Sequence, residues 1–147
     1  MMQAIQSLYS NVKCAVKVNN YTTEWFDVAI GLKQGCLLST TMFNLYINDL
    51  SEILNQSNSG IFINGAKVNH LFYADDLVLM AESETDLQYL LSILANWCTN
   101  NKMTINLTKT KMMHFRNPST PRTDVIFKCN DHIMECVDLG LLPGTRA

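Results

Sequence analysis

Apolar and polar positions alternate in short bursts along most of this chain and fall into helical spacing in two places. Gln3 to Tyr9 reads as the end of a short helix, and AVKV with EWFDVAI, on either side of Asn19-Asn20, reads as a hairpin that Trp25 and Phe26 are expected to pack. A glycine-bracketed loop follows, Gly31 to Cys36. Behind Ser39 or Thr40, either of which can cap a helix, Phe43, Ile47, Leu50 and Leu54 recur at helical spacing until NQSNSG ends the pattern. IFINGAKV then carries Asn64-Gly65, a strong hairpin signal, and NHLFYADDLVLMA sets two apolar arms around a pair of aspartates. Ser83 with Asp86 three residues on resembles a capping box, opening a helix striped by Leu87, Leu90, Leu91, Leu94, Trp97 and Cys98. MTINLTKTKMMHF predicts two short strands with Lys109 and Lys111 at alternate positions. NPSTP is a loop, and VIFKCNDHIMEC is a last hairpin turning at Asn130-Asp131. This order predicts an α+β fold, a mostly antiparallel sheet with two helices on one face, in one domain without internal repeats.

Composition narrows the partners. The 147 residues are 48% hydrophobic and 16% charged, enough for one globular core. A formal net charge of −2 excludes a global basic footprint, so nucleic-acid binding would have to rest on local patches. The charge is unevenly spread: five acids and no Lys or Arg lie between Val68 and Asn101, and six bases against one acid lie between Lys102 and Lys128. Cysteines at 14, 36, 98, 129 and 136 are odd in number and form no C-x-x-C pair, which argues for reduced thiols rather than a disulfide framework or zinc site. The N-terminus lacks the apolar core of a signal peptide, and no apolar run approaches the roughly 18 residues that cross a bilayer. The chain therefore reads as intracellular and soluble, with no membrane partner.

Asp75 and Asp76 interrupt the apolar run Phe72 to Met80, where an ionised carboxylate is costly to bury without a partner. If LFYA and LVLMA pair, Tyr73-Ala74-Asp75-Asp76 forms the turn between them. Two carboxylates projecting from a rigid base suit a hard cation such as Mg²⁺, which often takes one or two protein carboxylates plus substrate phosphates. A plain solvated turn is the competing reading of an isolated Asp-Asp pair.

The surroundings of the pair decide between these. FYADD, with GLKQGC and FNLYINDL before it and LQYLLSILANWC and INLTKTKMMHF after it, resembles the reverse transcriptase domain of non-LTR (LINE-type) retrotransposons, and more widely that of group II introns. Order and spacing agree from Ser7 to about Gly140. The resemblance implies a polymerase palm subdomain whose parent enzyme uses Mg²⁺, with Mn²⁺ as an alternative, an RNA template, a DNA primer and deoxynucleoside triphosphates. It implies that GLKQGCLLST is motif B, with Gln34 and Gly35 against template and nucleotide. It implies that YADD is motif C, with Asp75 a metal ligand, Asp76 beside the metal, and Tyr73 and Ala74 bordering the nucleotide and primer end. The KTK segment is similar to motif D, where Lys109 or Lys111 would meet the nucleotide's phosphates. VIFKCNDHIMECVDLG is weakly similar to the primer-grip hairpin, and the tail, residues 141–147, matches nothing in the family.

Departures from the family pattern accompany the resemblance. Residues 1–147 read as a partial domain without the fingers and without the motif A strand that carries the other essential aspartate. Asp27 and Asp49 do not match that motif, so the chain alone is expected to be inactive. Leu37 and Thr40 stand where the family commonly has prolines, and His70, His114 and His132 show no ligand spacing and read as structural or surface residues. The alternative to an enzyme fragment is a non-enzymatic retroelement remnant or a small nucleic-acid-binding protein.

Overall fold

Asn19 adopts a left-handed φ of 53°, a conformation asparagine tolerates better than most residues, and the first hairpin turns there as predicted. The computed structural model describes residues 2–28, 31–33, 35–116, 119 and 121–137. Its elements fall into two compact units, Met1–Tyr46 and Ile47–Ala147.

In the first unit, α1 (Met2–Tyr9) precedes β1 (Lys13–Cys14), β2 (Lys17–Val18), β3 (Tyr21–Thr22) and β4 (Phe26–Asp27). β2 pairs antiparallel with β3 around Asn19-Asn20, and β1 pairs with β4 further from the turn. Between the two ladders the Val16 N–H donates to the Thr23 hydroxyl at 2.9 Å, so a side chain replaces a backbone acceptor and interrupts the strands. The expectation that Trp25 and Phe26 pack this hairpin is not met, because they are 70% and 48% exposed. α2 (Leu37–Gln56) begins ahead of the expected cap. Ser39 already donates its N–H to Cys36 O at 3.0 Å, and its hydroxyl, freed from capping, bonds Tyr9 Oη at 2.8 Å.

The second unit is built on α2's C-terminal half, the hairpins β5 (Ile61–Ile63) with β6 (Ala66–Val68) and β7 (His70–Tyr73) with β8 (Asp76–Leu79), and α3 (Glu84–Asn100). Asn64 and Gly65 take φ of 52° and 80°, the paired left-handed conformations of a type I′ turn. Ser83 is the N-cap of α3: its Oγ accepts the Asp86 N–H at 3.1 Å and donates to the Asp86 carboxylate at 2.7 Å, a bond between the two side chains. With a second hydroxyl bond from Ser59, Ser83 holds the Asp86 carboxyl below the ordinary carboxylate range. β9 (Lys111–Met113), β10 (Lys128–Cys129), β11 (His132–Ile133) and β12 (Glu135–Val137) complete it. β10 and β11 turn at Asn130-Asp131 as predicted, while β9 and β12 pair parallel.

The single, mostly antiparallel sheet with two helices does not appear among the described residues. There are three helices and six separate two-stranded ladders, one of them parallel. The α+β class holds; the strands, two to four residues long, do not join into a continuous sheet. Asn106 explains the strand missing before β9. Its carbonyl accepts the Lys109 and Thr110 N–H groups at 3.1 and 3.0 Å and its side chain bonds the Thr108 hydroxyl at 2.7 Å, so 107–109 curls into a turn. NPSTP lies partly outside the described residues.

α3 stands between two cores. Leu90, Trp97 and Cys98 pack with Leu50 and Leu54 of α2 and with Phe72 and Leu77 of the β7–β8 hairpin. Leu91 and Ala95 pack with Met112, Phe127, Cys129 and Met134, and Leu79 and Ile105 touch both clusters. Each fully buried leucine contributes about 1.5–3 kcal/mol of transfer free energy. Burial also pushes the Cys98 and Cys129 thiols above their ordinary range. No helix among the described residues is long and apolar enough to cross a membrane.

Gly60 shows how tightly the hairpins join this core. At φ +151° it lies where a β-carbon would come within 3.0 Å of Asn69 Cβ and of the Val68 carbonyl oxygen. Gly60→Ala is expected to lower stability by about 2–3 kcal/mol. Gly65→Ala, with open space at the same position, should lose only the left-handed cost of about 1 kcal/mol. Urea midpoints at unchanged m-value check both.

Candidate functional site

The paired aspartates are carried by a ribbon whose two faces have opposite character. In the β7–β8 register Phe72 faces Leu77 and Tyr73 faces Asp76 across the ladder. His70, Phe72, Leu77 and Leu79 form the inner, partly buried face. Leu71, Tyr73, Asp76 and Val78 alternate with them on the exposed face, where Tyr73 is 83% exposed. Ala74 and Asp75 make the two-residue connection, so both carboxylates project into solvent at the end of a ribbon whose inner face packs on the core.

That connection is strained at one residue. Ala74 has φ 53°, the left-handed region that costs a β-carbon-bearing residue roughly 1–2 kcal/mol. Ala74→Val, which adds β-branching at this φ, is expected to destabilise the second unit by about 1–2 kcal/mol. Ala74→Gly should be neutral or stabilising by up to about 1 kcal/mol, since relief of strain outweighs added freedom of the unfolded chain. Chemical denaturation of the two variants side by side reads the sign.

Behind the turn lies a polar cluster that the sequence pattern did not single out. Asn69, 2% exposed, donates from Nδ2 to Leu54 O and, at 3.1 Å, to Ser57 Oγ. Its Oδ1 is thereby the acceptor for His70 Nδ1, 2.7 Å away, so the His70 proton sits on Nδ1 and Nε2 accepts from the Ser51 hydroxyl at 2.8 Å. Burial pushes the His70 imidazole below its ordinary value. His70 is thus structural, as its lack of ligand spacing suggested. The available signal was the Ser- and Asn-rich run 55–60 facing a lone Asn before an apolar strand, which on sequence reads only as turn chemistry.

The other predicted contacts divide between the units. In the first, Gly35 has φ 79° with open space where a side chain would stand, and Gln34 lies outside the described residues. Lys33 anchors the same loop: its Nζ donates to Leu8 O at 2.6 Å and lies 5.7 Å from the Tyr9 ring centre. Backbone N–H groups of Ser39 and Leu38 at the start of α2 hold the Cys36 thiol below its ordinary range. In the second unit, Lys109 and Lys111 do not alternate on one strand as expected. Lys111 opens β9 and is ion-paired with Glu135, its register partner on β12, whereas Lys109 is exposed in the turn 107–109. The cause is again Asn106, which spends the residues before β9 on a turn.

Chemically, the turn offers adjacent hard oxygen donors of the kind Mg²⁺ takes. Among the described residues no group of three or more His, Cys, Asp or Glu side chains is arranged to hold a metal ion, so the donor set suits part of a site.

Comparison with known proteins gives the family. Residues 1–136 match the reverse transcriptase (RNA-dependent DNA polymerase) family. A Retrovirus-related Pol polyprotein from type-1 retrotransposable element R2 of Nasonia vitripennis is 35% identical over 92 residues, 63% of this chain and 9% of that protein. The corresponding protein of Popillia japonica is 30% identical over 110 residues, 74% of this chain and 18% of its own length. That from type-2 retrotransposable element R2DM of Drosophila melanogaster is 37% identical over 87 residues, 59% of this chain and 8% of its own length. The chain spans at most 18% of these relatives. With the family match covering residues 1–136, nearly its whole length, the chain belongs to the reverse transcriptase family and is similar to the Pol proteins of non-LTR retrotransposons.

Proposed function

We propose that this chain forms part of the palm of a non-LTR retrotransposon polymerase that adds deoxynucleotides to a DNA 3′ end on an RNA template. The observation that carries the reading is the β7–β8 ribbon, packed on its inner face and presenting Asp75 and Asp76 in solvent at its turn. Asp75 would bind the divalent ion, Mg²⁺ or alternatively Mn²⁺, with Asp76 beside it. Bound there, the ion supplies charge neutralisation where the attacking 3′ oxygen and the departing pyrophosphate carry negative charge. Tyr73 and Ala74 border the primer end and incoming nucleotide, the small side chain at 74 leaving room there. Gly35 admits close approach of the template and nucleotide to the backbone, and Gln34 contacts the same partners. Of the two KTK lysines, Lys109 takes the phosphate role, placing a proton or positive charge at the leaving pyrophosphate, because Lys111 is committed to Glu135.

Two-metal chemistry needs further bridging carboxylates, which in this reading come from another part of the Pol protein. The isolated chain should therefore be inactive. Primer extension on an RNA template tests both statements, using the whole Pol protein and this chain separately, with deoxynucleotides or ribonucleotides. Extension by the whole protein alone, restricted to deoxynucleotides and dependent on Mg²⁺ or Mn²⁺, is the expected result. Robust extension by the isolated chain, or ribonucleotide preference by the whole protein, would overturn the reading.

A further inference from the structure

The turn that carries Asp75 and Asp76 belongs to a ribbon of two strands that ladders to no third strand among the described residues. A lone two-stranded ribbon is marginal in water, and its outer end swings by several ångströms for a small change in tilt at its base. Apolar packing of Phe72, Leu77 and Leu79 fixes which face turns inward. Being non-directional, that packing does not fix how far the ribbon slides or rotates against α2. Directional bonds do so, and they converge on one residue.

We propose that Asn69 is a positioning residue that aims the Asp75-Asp76 turn, an inference that rests on the metal-binding reading of that turn. Three observations meet there. The Asn69 carbonyl accepts the Met80 N–H at 2.9 Å, extending the β7–β8 ladder at the end opposite the turn. Its side chain spends one N–H on Leu54 O at the C-terminal end of α2 and the other on Ser57 Oγ in the loop just after it. Its Oδ1 takes the Nδ1 proton of the next residue, His70, whose other nitrogen is bound by Ser51 one turn earlier on α2. Two consecutive residues of one strand base are thus tied to one helix at two heights. Both polar atoms of the Asn69 side chain are bonded and the residue is 2% exposed, so the bonds operate away from competing water. The same Ser57–Ser59 loop reaches Asp86 through Ser59 at 2.8 Å, adding the start of α3 to the frame. Losing the amide would leave hydrophobic contacts to hold the ribbon, with its tilt free to vary.

The test uses the 147-residue chain and three variants: Asn69→Ala, the milder Ser51→Ala, and Met112→Ala, which loosens the other core. Residual dipolar couplings report the orientation of the β7–β8 amides relative to α3. Mn²⁺ titration, followed by paramagnetic broadening at Ala74 to Leu77, reports the carboxylates. The expected result is a reoriented or averaged ribbon in Asn69→Ala, a smaller change of the same kind in Ser51→Ala, and the least in Met112→Ala, whose core meets the ribbon only through Leu79. Mn²⁺ affinity should fall about tenfold in Asn69→Ala, comparable to losing a group that orients a metal ligand from behind. An unchanged ribbon in both Asn69→Ala and Ser51→Ala would overturn the proposal, as would equal changes in Met112→Ala. So would a reoriented ribbon with undiminished Mn²⁺ binding. If the parent chain shows no Mn²⁺ broadening that Asp75→Asn removes, the metal reading fails by itself, while the couplings still decide whether Asn69 sets the turn's orientation.

Discussion

Asp75→Asn is expected to lower templated deoxynucleotide addition by the intact Pol protein on the order of 10²–10³-fold or more, with its stability unchanged. The substitution preserves shape and removes one formal charge from an exposed turn position. Asparagine is as common in turns as aspartate, so the stability change should stay within about 0.5 kcal/mol. On the proposed reading, what is lost is a hard anionic donor for the divalent ion, which a neutral amide oxygen replaces poorly. Asp76→Asn should cost less, because Asp76 opens β8 opposite Tyr73 and is assigned a supporting place beside the ion. Steady-state primer extension with Mg²⁺ and with Mn²⁺ orders the two variants. Equal losses would mean that both aspartates are ligands, and near-normal activity of Asp75→Asn would remove the turn from the chemistry.

Legibility followed range. The turns at Asn19-Asn20, Asn64-Gly65 and Asn130-Asp131, the Ser83 N-cap and the turn between β7 and β8 were all readable, because each is decided by a few neighbouring residues. The leucine stripe of α3 was readable from its period, although it serves two cores and the period alone shows one face. What could not be read depends on distant partners. Ser39 looks like a cap until Tyr9 takes its hydroxyl, and Lys111 looks like a free surface cation until Glu135 arrives from β12. Asn106 carried a local signal that was outweighed by the β-like alternation around it. Asn69 had only the turn-like run 55–60 to announce it, since a buried asparagine is recognised by its acceptors, and these lie in α2 and the loop after it. At the site, the motif pointed to the aspartates but gave no account of what holds them in place.

Leu90→Ala is expected to be the most destabilising single substitution in the second unit, at about 3–5 kcal/mol. Leu90 is fully buried and lies in the cluster that joins α2, α3 and the inner face of the β7–β8 ribbon. Truncation removes transfer free energy and leaves a cavity that two helices and a hairpin must all move to fill. Met112→Ala, in the other core, should cost less, about 2–3 kcal/mol, because the short two-stranded ladders around it can collapse into the space more easily than two helices. Urea unfolding followed by the fluorescence of Trp97, which is buried in the same cluster as Leu90, measures both. The double variant is the sharper experiment. Leu79 and Ile105 touch both cores, so the two losses should depart from additivity by at least about 0.5 kcal/mol. Strict additivity would mean that each core relaxes without consulting the other. In that case the ribbon bearing Asp75 and Asp76, whose Leu79 bridges them, would be braced by the α2 side alone.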